Sequence, residues 1–349
     1  MTMLADRIDA VIGVDTHTDT HTAVICDARG GVLTEITVET DDAGLGQLLD
    51  AVLEHVPGPR VAWAVEGTGS YGAGLAEALR QMDQEVIEAP RTKRDRGQAK
   101  NDTADALAMA RATLSRVRHA QPRRGQVREA LRLITMSRNA DVKTRTRLTN
   151  QFKGVVLTAP PVLREKFRGL TTTAQISQAR RLRGPKNADL ATKTCVQILS
   201  KLAAQVTDLD KAIATAERQL DKLTTTHARA LRDQYGVGPI SAAQILITWS
   251  HPGRFRNDAA FAAIAGTSPL EASSGRTVRH RLNRGGDRQL NAALHRVLLT
   301  RRGHDHPETM AYIDRRTTEG RTSREIERCL KRALARRFHR LLETMPAMP

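Results

Sequence analysis

Cysteine is scarce in this sequence: Cys26, Cys195 and Cys329 are three in 349 residues, too scattered for a disulfide framework or a zinc-binding spacing. Aromatic residues make up only 3% of the chain. Base stacking therefore cannot dominate any nucleic-acid binding, which must rest on phosphate contacts and weaken steeply with salt. No window approaches about 20 uncharged apolar residues, so a membrane-spanning helix is not expected. The start, Met1-Thr2-Met3-Leu4-Ala5-Asp6-Arg7, has no signal-peptide pattern. Together these absences predict a soluble, cytoplasmic protein. Positive charge is scarce in the first 90 residues, which hold 4 basic and 16 acidic side chains.

The whole chain nevertheless carries 55 Lys plus Arg against 38 Asp plus Glu, a net charge of +17. The residues after Pro90 must then carry +29, and a polyanion-binding surface is expected there. A single core stops growing near 250 to 300 residues, so a chain of this length predicts two or three domains.

The acidic part reads as α/β. Ala10-Val11-Ile12-Gly13-Val14-Asp15 and Val61-Ala62-Trp63-Ala64-Val65-Glu66 are apolar runs ending in an acid, the pattern of buried strands that reach a sheet edge. Further strands are expected at 21–26, 32–38 and 85–87. Helices are expected from Asp41 or Asp42 to Val56, with Leu45, Leu48, Leu49, Val52 and Leu53 facing inward, and near 75–82. This order puts parallel and antiparallel strands in one sheet. A third helix starts at Asn101-Asp102-Thr103-Ala104-Asp105, where the spacing puts Asp102 and Asp105 on one face.

Beyond Arg118 the pattern turns helical and Arg-rich. A long basic helix spans 127–156 and is broken by Pro160-Pro161. Leu199, Leu202, Val206, Leu209, Ile213, Ala216, Leu220 and Leu223 alternate steps of three and four, a coiled-coil seam for another helix of the chain or of a second protomer. Gly236-Val237-Gly238-Pro239 opens an apolar helix and has the form of a helix-hairpin-helix turn, whose amides can bind a DNA phosphate; Gly236 and Gly238 are the candidates. The stretch 266–275 reads as a loop containing Ser273-Ser274-Gly275. Arg276, Arg279, Arg281 and Arg284 follow it as candidate phosphate contacts, and helices are expected at 287–299 and 325–342. His304-Asp305-His306-Pro307 reads as a turn.

Two acids at strand ends and two at a helix start can converge on one point, and oxygen-only ligands suit Mg2+, or Mn2+, in phosphoryl transfer. In this order Ile12-Gly13-Val14-Asp15, Val65-Glu66, and Asn101-Asp102 with Asp105 resemble the DEDD set of RuvC-like insertion-sequence transposases, family 110. The resemblance implies an RNase H-like (RuvC-like) mixed-sheet domain over 1–120, a basic helical and coiled-coil middle over 121–226, and a mainly helical C-terminal transposase domain over 227–349. It implies that Asp15, Glu66, Asp102 and Asp105 are catalytic metal ligands. By family position Ser274, with Ser273 as near rival, matches a serine nucleophile forming a phosphoserine link to DNA. One departure is Gly266-Thr267-Ser268-Pro269 where the family more usually has Gly-Leu-x-Pro.

The implied protein is a transposase that cuts and rejoins donor and target DNA, with the acidic lobe and Ser274 cooperating at a composite site. An element-encoded bridge RNA guides it, and it works as a homo-oligomer, dimer or tetramer. The alternative within the enzymes is a metal-dependent junction-resolving nuclease of the RuvC kind, in which Ser274 is idle. An actin-like sugar kinase also begins as Val14-Asp15-Thr16-His17-Thr18 does, but it should show nucleotide-binding glycine loops and no basic excess. A non-catalytic RNA-binding regulator would explain the charge and leave the acid series unexplained.

Overall fold

The computed structural model describes residues 3–90, 101–271, 280, 281, 283 and 285–348. The chain forms two compact units, Met1–Arg124 and Gly125–Pro349.

The first unit holds β1 (Ala10–Thr16), β2 (Thr20–Asp27), β3 (Val32–Glu39), α1 (Asp42–His55), β4 (Val61–Val65), α2 (Ala73–Gln81), β5 (Glu85–Glu88) and α3 (Asp102–Leu114). The sheet order is β3-β2-β1-β4-β5. β1 runs antiparallel to β2 and parallel to β4, which is parallel to β5. This is the mixed sheet expected of an RNase H-like domain.

Alternation along the strands sorts the two faces. Ile12, Val14, Trp63 and Val65 pack with Leu48 and Val52 of α1 and Leu75 and Leu79 of α2. Val11, Ala62 and Ala64 point the other way and pack with Ala106, Met109, Ala110 and Leu114 of α3. Leu53, expected on the inner face of α1, is instead 78% exposed. At 100° per residue it lies 80° from Leu45, at the edge of the apolar stripe, where the helix has already turned away from the sheet.

Gly13 sits between β1 and α3. A Cβ there would overlap the Ala106 carbonyl oxygen and lie 3.0 Å from the Ala110 Cβ. Only a residue without a side chain lets α3 lie this close to the strand.

The second unit is built on α4 (Gln126–Thr158) and α7 (Leu190–His227), with α5 (Pro161–Arg164) and α6 (Thr172–Ala179) between them. It continues with α8 (Arg229–Arg232), α9 (Pro239–Trp249), α10 (Asp258–Ile264), β6 (Leu270–Glu271), β7 (His280–Arg281), α11 (Arg288–Gly303), α12 (Pro307–Thr318) and α13 (Ser323–Glu343).

Arg138 pairs with Glu217 at 2.7 Å and Arg145 pairs with Asp210, so α4 and α7 run antiparallel. Leu148 and Phe152 of α4 pack with Leu199, Leu202 and Val206, and Leu131 shares a second cluster with Leu220. The heptad seam is thus covered within the chain, and two arginines of the basic helix bridge α4 to α7. The stretch 266–275, read as loop, contains a strand: Leu270–Glu271 pairs antiparallel with His280–Arg281. The segment 304–306 is the expected turn, with Asp305 at a φ of 49° between α11 and α12.

α13 carries His339, buried in the cluster's aromatic layer with its ring 5.5 Å from that of Phe261. Burial, opposed by the charges of Glu343 and Asp258, lowers its pKa below the ordinary 6.5. The fold therefore favours neutral imidazole. The stability this contributes is complete above pH 6.5 and is lost as pH falls through the depressed value. Melting temperature should drop more steeply between about pH 7 and about pH 5 in the wild type than in His339→Leu. Parallel curves would contradict it.

Candidate metal centre

Residues 11, 13, 15 and 17 share one side of an extended chain, as do 62, 64 and 66. The apolar members of both series are covered by α3. Where that covering ends, the series turn polar with Asp15, His17 and Glu66. The ladder runs past β4 to hold them: the Glu66 N–H donates to the Val14 carbonyl at 3.0 Å, and the Thr16 hydroxyl donates to the Glu66 carbonyl at 3.1 Å. Asp15 and Glu66 thus lie side by side at the C-terminal ends of neighbouring parallel strands.

α3 brings the other two acids by the same logic. Its sheet-facing stripe contains Ala106, Met109 and Ala110. One turn earlier that stripe reaches Asp102 and Asp105, in the first turn of the helix, whose start is capped by the Asn101 side chain accepting from the Thr103 N–H at 3.0 Å.

Asp15 is 4% exposed. Nε2 of His17 lies 3.5 Å from Asp15 Oδ2 and 3.3 Å from Asp102 Oδ2. One donor atom from each of Asp15, His17 and Asp102 falls within 4.8 Å of the others. Burial, followed by a hydrogen bond with Asp15 and the charges of Asp15 and Asp105, holds the Glu66 carboxyl above its ordinary range, while His17 pulls it the other way. Asp15 and Asp102 thus meet at His17, Glu66 is hydrogen-bonded to Asp15, and Asp105 is near enough for its charge to act on Glu66. Carboxylates this crowded favour a proton or a cation among them.

The donor set fits a divalent ion. Carboxylate oxygens suit Mg2+ and Mn2+, and the His17 Nε2, which is buried with no hydrogen-bond partner, adds a nitrogen that favours Mn2+ of the two. Acid spacing alone gave no sign of His17. The usable signal was alternation, since the side chain two residues beyond Asp15 falls on the same side of the strand.

Ser273, Ser274, Arg276, Arg279 and Arg284 lie outside the described residues. Arg281 is exposed on β7. Gly236 has a φ of 81°, and a Cβ there would sit 3.0 Å from the Val297 carbonyl, so the turn is pressed onto α11. Gly238 is the N-cap of α9, with open space where a Cβ would be. The Val237 carbonyl between them accepts from Arg232 at 2.6 Å.

Two family models match the chain, one over its N-terminal part and one over its C-terminal part. A family model of the IS110-type DEDD transposases, described as "Transposase", matches residues 12–161, a span containing all four acids and His17. A second, "Transposase IS116/IS110/IS902 family", matches residues 228–314. The chain is 26% identical to an uncharacterized 42 kDa protein of insertion element IS900 from Mycobacterium paratuberculosis, over 95% of this chain and 94% of that protein. It is 30% identical to an uncharacterized 43.6 kDa protein of insertion element IS110 from Streptomyces coelicolor, over 36% of this chain and 31% of that one. A putative transposase of Sinorhizobium fredii is 27% identical over 56% of this chain and 49% of its own length. With an RNase H-like sheet presenting the acid series in the first matched span and the helical unit containing the second, the chain belongs to the IS110 family of transposases, enzymes that cut and rejoin DNA.

Proposed function

We propose that this transposase moves an insertion sequence by coupling a divalent-cation site at Asp15, His17, Glu66, Asp102 and Asp105 to a serine nucleophile, Ser274. The observation that carries the reading is the meeting of Asp15 and Glu66 at adjacent strand ends under the first turn of α3. A cation held there, Mg2+ or Mn2+, would neutralise charge on the phosphate and on the departing oxygen. Asp15, buried and fixed by β1, sets the position of the site. Asp102 and Asp105 are brought to it by the helix, and His17 fills the gap between Asp15 and Asp102.

In the serine step the Ser274 hydroxyl gives up its proton, its Oγ bonds to phosphorus, and a sugar oxygen leaves and takes a proton. One phosphate ester replaces another, so the strand can be resealed by the reverse step without an external energy source. Arg276, Arg279, Arg281 and Arg284 follow the serine closely in sequence, and neutralising the phosphate is the role proposed for them. Gly236 and Gly238 are proposed to meet a backbone phosphate. The family resemblance supports an element-encoded bridge RNA pairing with donor and target DNA, and a dimer or tetramer as the working assembly in the cytoplasm.

The test is a denaturing gel of full-length protein, guide RNA and end-labelled DNA. A protein–DNA adduct should form in the wild type and in Ser273→Ala, and disappear in Ser274→Ala. An adduct lost only in Ser273→Ala would move the nucleophile by one residue. Cation-dependent cleavage that continues without an adduct in Ser274→Ala would instead identify a junction-resolving nuclease.

A further inference from the structure

The C-terminal unit contains a polar cleft of 420 Å³ between the start of α11, α13 and the turns at Gly266 and Gly286. Its frame is tightly fixed. A Cβ on Gly286 would overlap the Gly266 amide nitrogen and lie 2.7 Å from the Ile264 carbonyl. The Asp287 N–H donates to that same carbonyl at 2.6 Å. Asn291 spans the floor, donating to the Ala265 carbonyl at 2.7 Å and accepting from Lys331 Nζ at 3.0 Å.

Arg288, Asn291, Ala292 and His295 come from one face of α11, at intervals of three, four and seven residues, and all line the cleft. Among the described residues of the lining the acid is Asp287, and its oxygens are committed. Oδ1 accepts from the Gln289 and Leu290 amides at 2.9 and 3.0 Å, and Oδ2 accepts from the Thr248 hydroxyl at 2.9 Å. Lys331 retains two N–H donors beyond its bond to Asn291. Arg288 is exposed, and His295 Nδ1 is buried without a partner. Burial also holds the Lys331 ammonium below its usual pKa, a cost that an anion beside it would offset.

Among the described lining residues, two cations against one committed carboxylate leave a charge of +1. That matches the single negative charge of a phosphodiester, and suits a phosphomonoester or nucleotide less well. We infer that this cleft seats one backbone phosphate of DNA, gripped by Lys331 and Arg288 with His295 as the inner hydrogen-bonding group. The inference rests on DNA being the family's substrate and is independent of which serine attacks. Gly266 and Asn283, both in the lining, flank the β6–β7 pair in sequence. In sequence, the cleft residues thus adjoin the stretch that contains Ser273 and Ser274.

The experiment is fluorescence anisotropy of full-length protein with two unrelated duplex DNAs, over about 50 to 200 mM salt. The measurement is made for wild type, Lys331→Gln, Arg288→Gln, the double variant and the control Lys211→Gln. Because both side chains grip one phosphate, each cleft substitution should reduce the slope of log K against log salt by up to about 0.9, and the pair by about 0.9 in all, equally on both DNAs. The control, on α7 and paired with Asp208, should leave the slope unchanged. Arg288 is an exposed first-turn residue, so Arg288→Gln carries the test alone if Lys331→Gln does not fold. A double variant that folds and keeps the wild-type slope would overturn the assignment. So would an equal fall in the control, or a change seen only with an RNA hairpin run in parallel.

Discussion

Asp15→Asn should lower the rate of strand cleavage at least about a thousandfold, the scale expected when several kcal/mol of charge stabilisation at the reacting phosphate is lost. It should also raise the melting temperature of the protein in the absence of divalent cations. Asp15 is almost fully buried against a second carboxyl group, and that proximity is part of what holds Glu66 above its ordinary pKa. A neutral amide of the same shape removes the repulsion and much of the desolvation cost. The opposed outcomes separate this account from a structural role, for which both stability and activity would fall. In the wild type Mn2+ should raise the melting temperature by mass action, and in Asp15→Asn that increment should be largely lost. Thermal melts with and without Mn2+, beside a cleavage assay, check all three expectations.

Gly13→Val should be nearly as damaging without touching a charged group. Its side chain would have to enter space already filled by the Ala106 carbonyl and Ala110. The strand is central, with β2 and β4 on its two sides, so α3 is the element that moves. Overpacking of this kind costs about 1 to 3 kcal/mol. Because Asp102 and Asp105 lie on the first turn of the displaced helix, a shift of about 1 Å should cost about a hundredfold in cleavage. The contrast is Gly46→Ala in α1, where nothing lies within 4 Å of the new methyl group. There the substitution should stabilise by about 0.4 to 1 kcal/mol and leave cleavage intact. Urea unfolding and single-turnover cleavage of both variants measure the difference. Equal behaviour would mean that the strand–helix approach at Gly13 has no part in placing the acids.

Why the sequence revealed so much of the N-terminal unit follows from its strands. Val11 to Val14 and Ala62 to Val65 are apolar on both sides because helices cover both faces, and an acid ending each run marks where that cover stops. The pairing of Asp15 with Glu66 then needed only parallel neighbours in register. What the pattern did not give was the third dimension at Gly13 and His17. A glycine in a strand has several uses, and the need for this one appears only once α3 is laid across it. A histidine among threonines carries no spacing signal until the donor atoms are located. Leu53 shows the opposite error, in which a fifth apolar position widened the stripe beyond the arc that the sheet covers. In the helical unit the heptad seam on α7 was plain, but a seam does not name its partner; the ion pairs Arg138–Glu217 and Arg145–Asp210 are long-range and do.

The central proposal is that the acids, His17 and the start of α3 together hold a divalent cation, and pulsed electron paramagnetic resonance of Mn2+ bound to the full-length protein examines this most directly. The account predicts one bound Mn2+ with a directly coordinated nitrogen signal. That signal should vanish in His17→Gln while the ion stays bound, and both ion and signal should be lost in Asp15→Asn. Mn2+ bound equally well by wild type, Asp15→Asn and Glu66→Gln would contradict the site itself, and a bound ion with no nitrogen signal in the wild type would remove His17 from it.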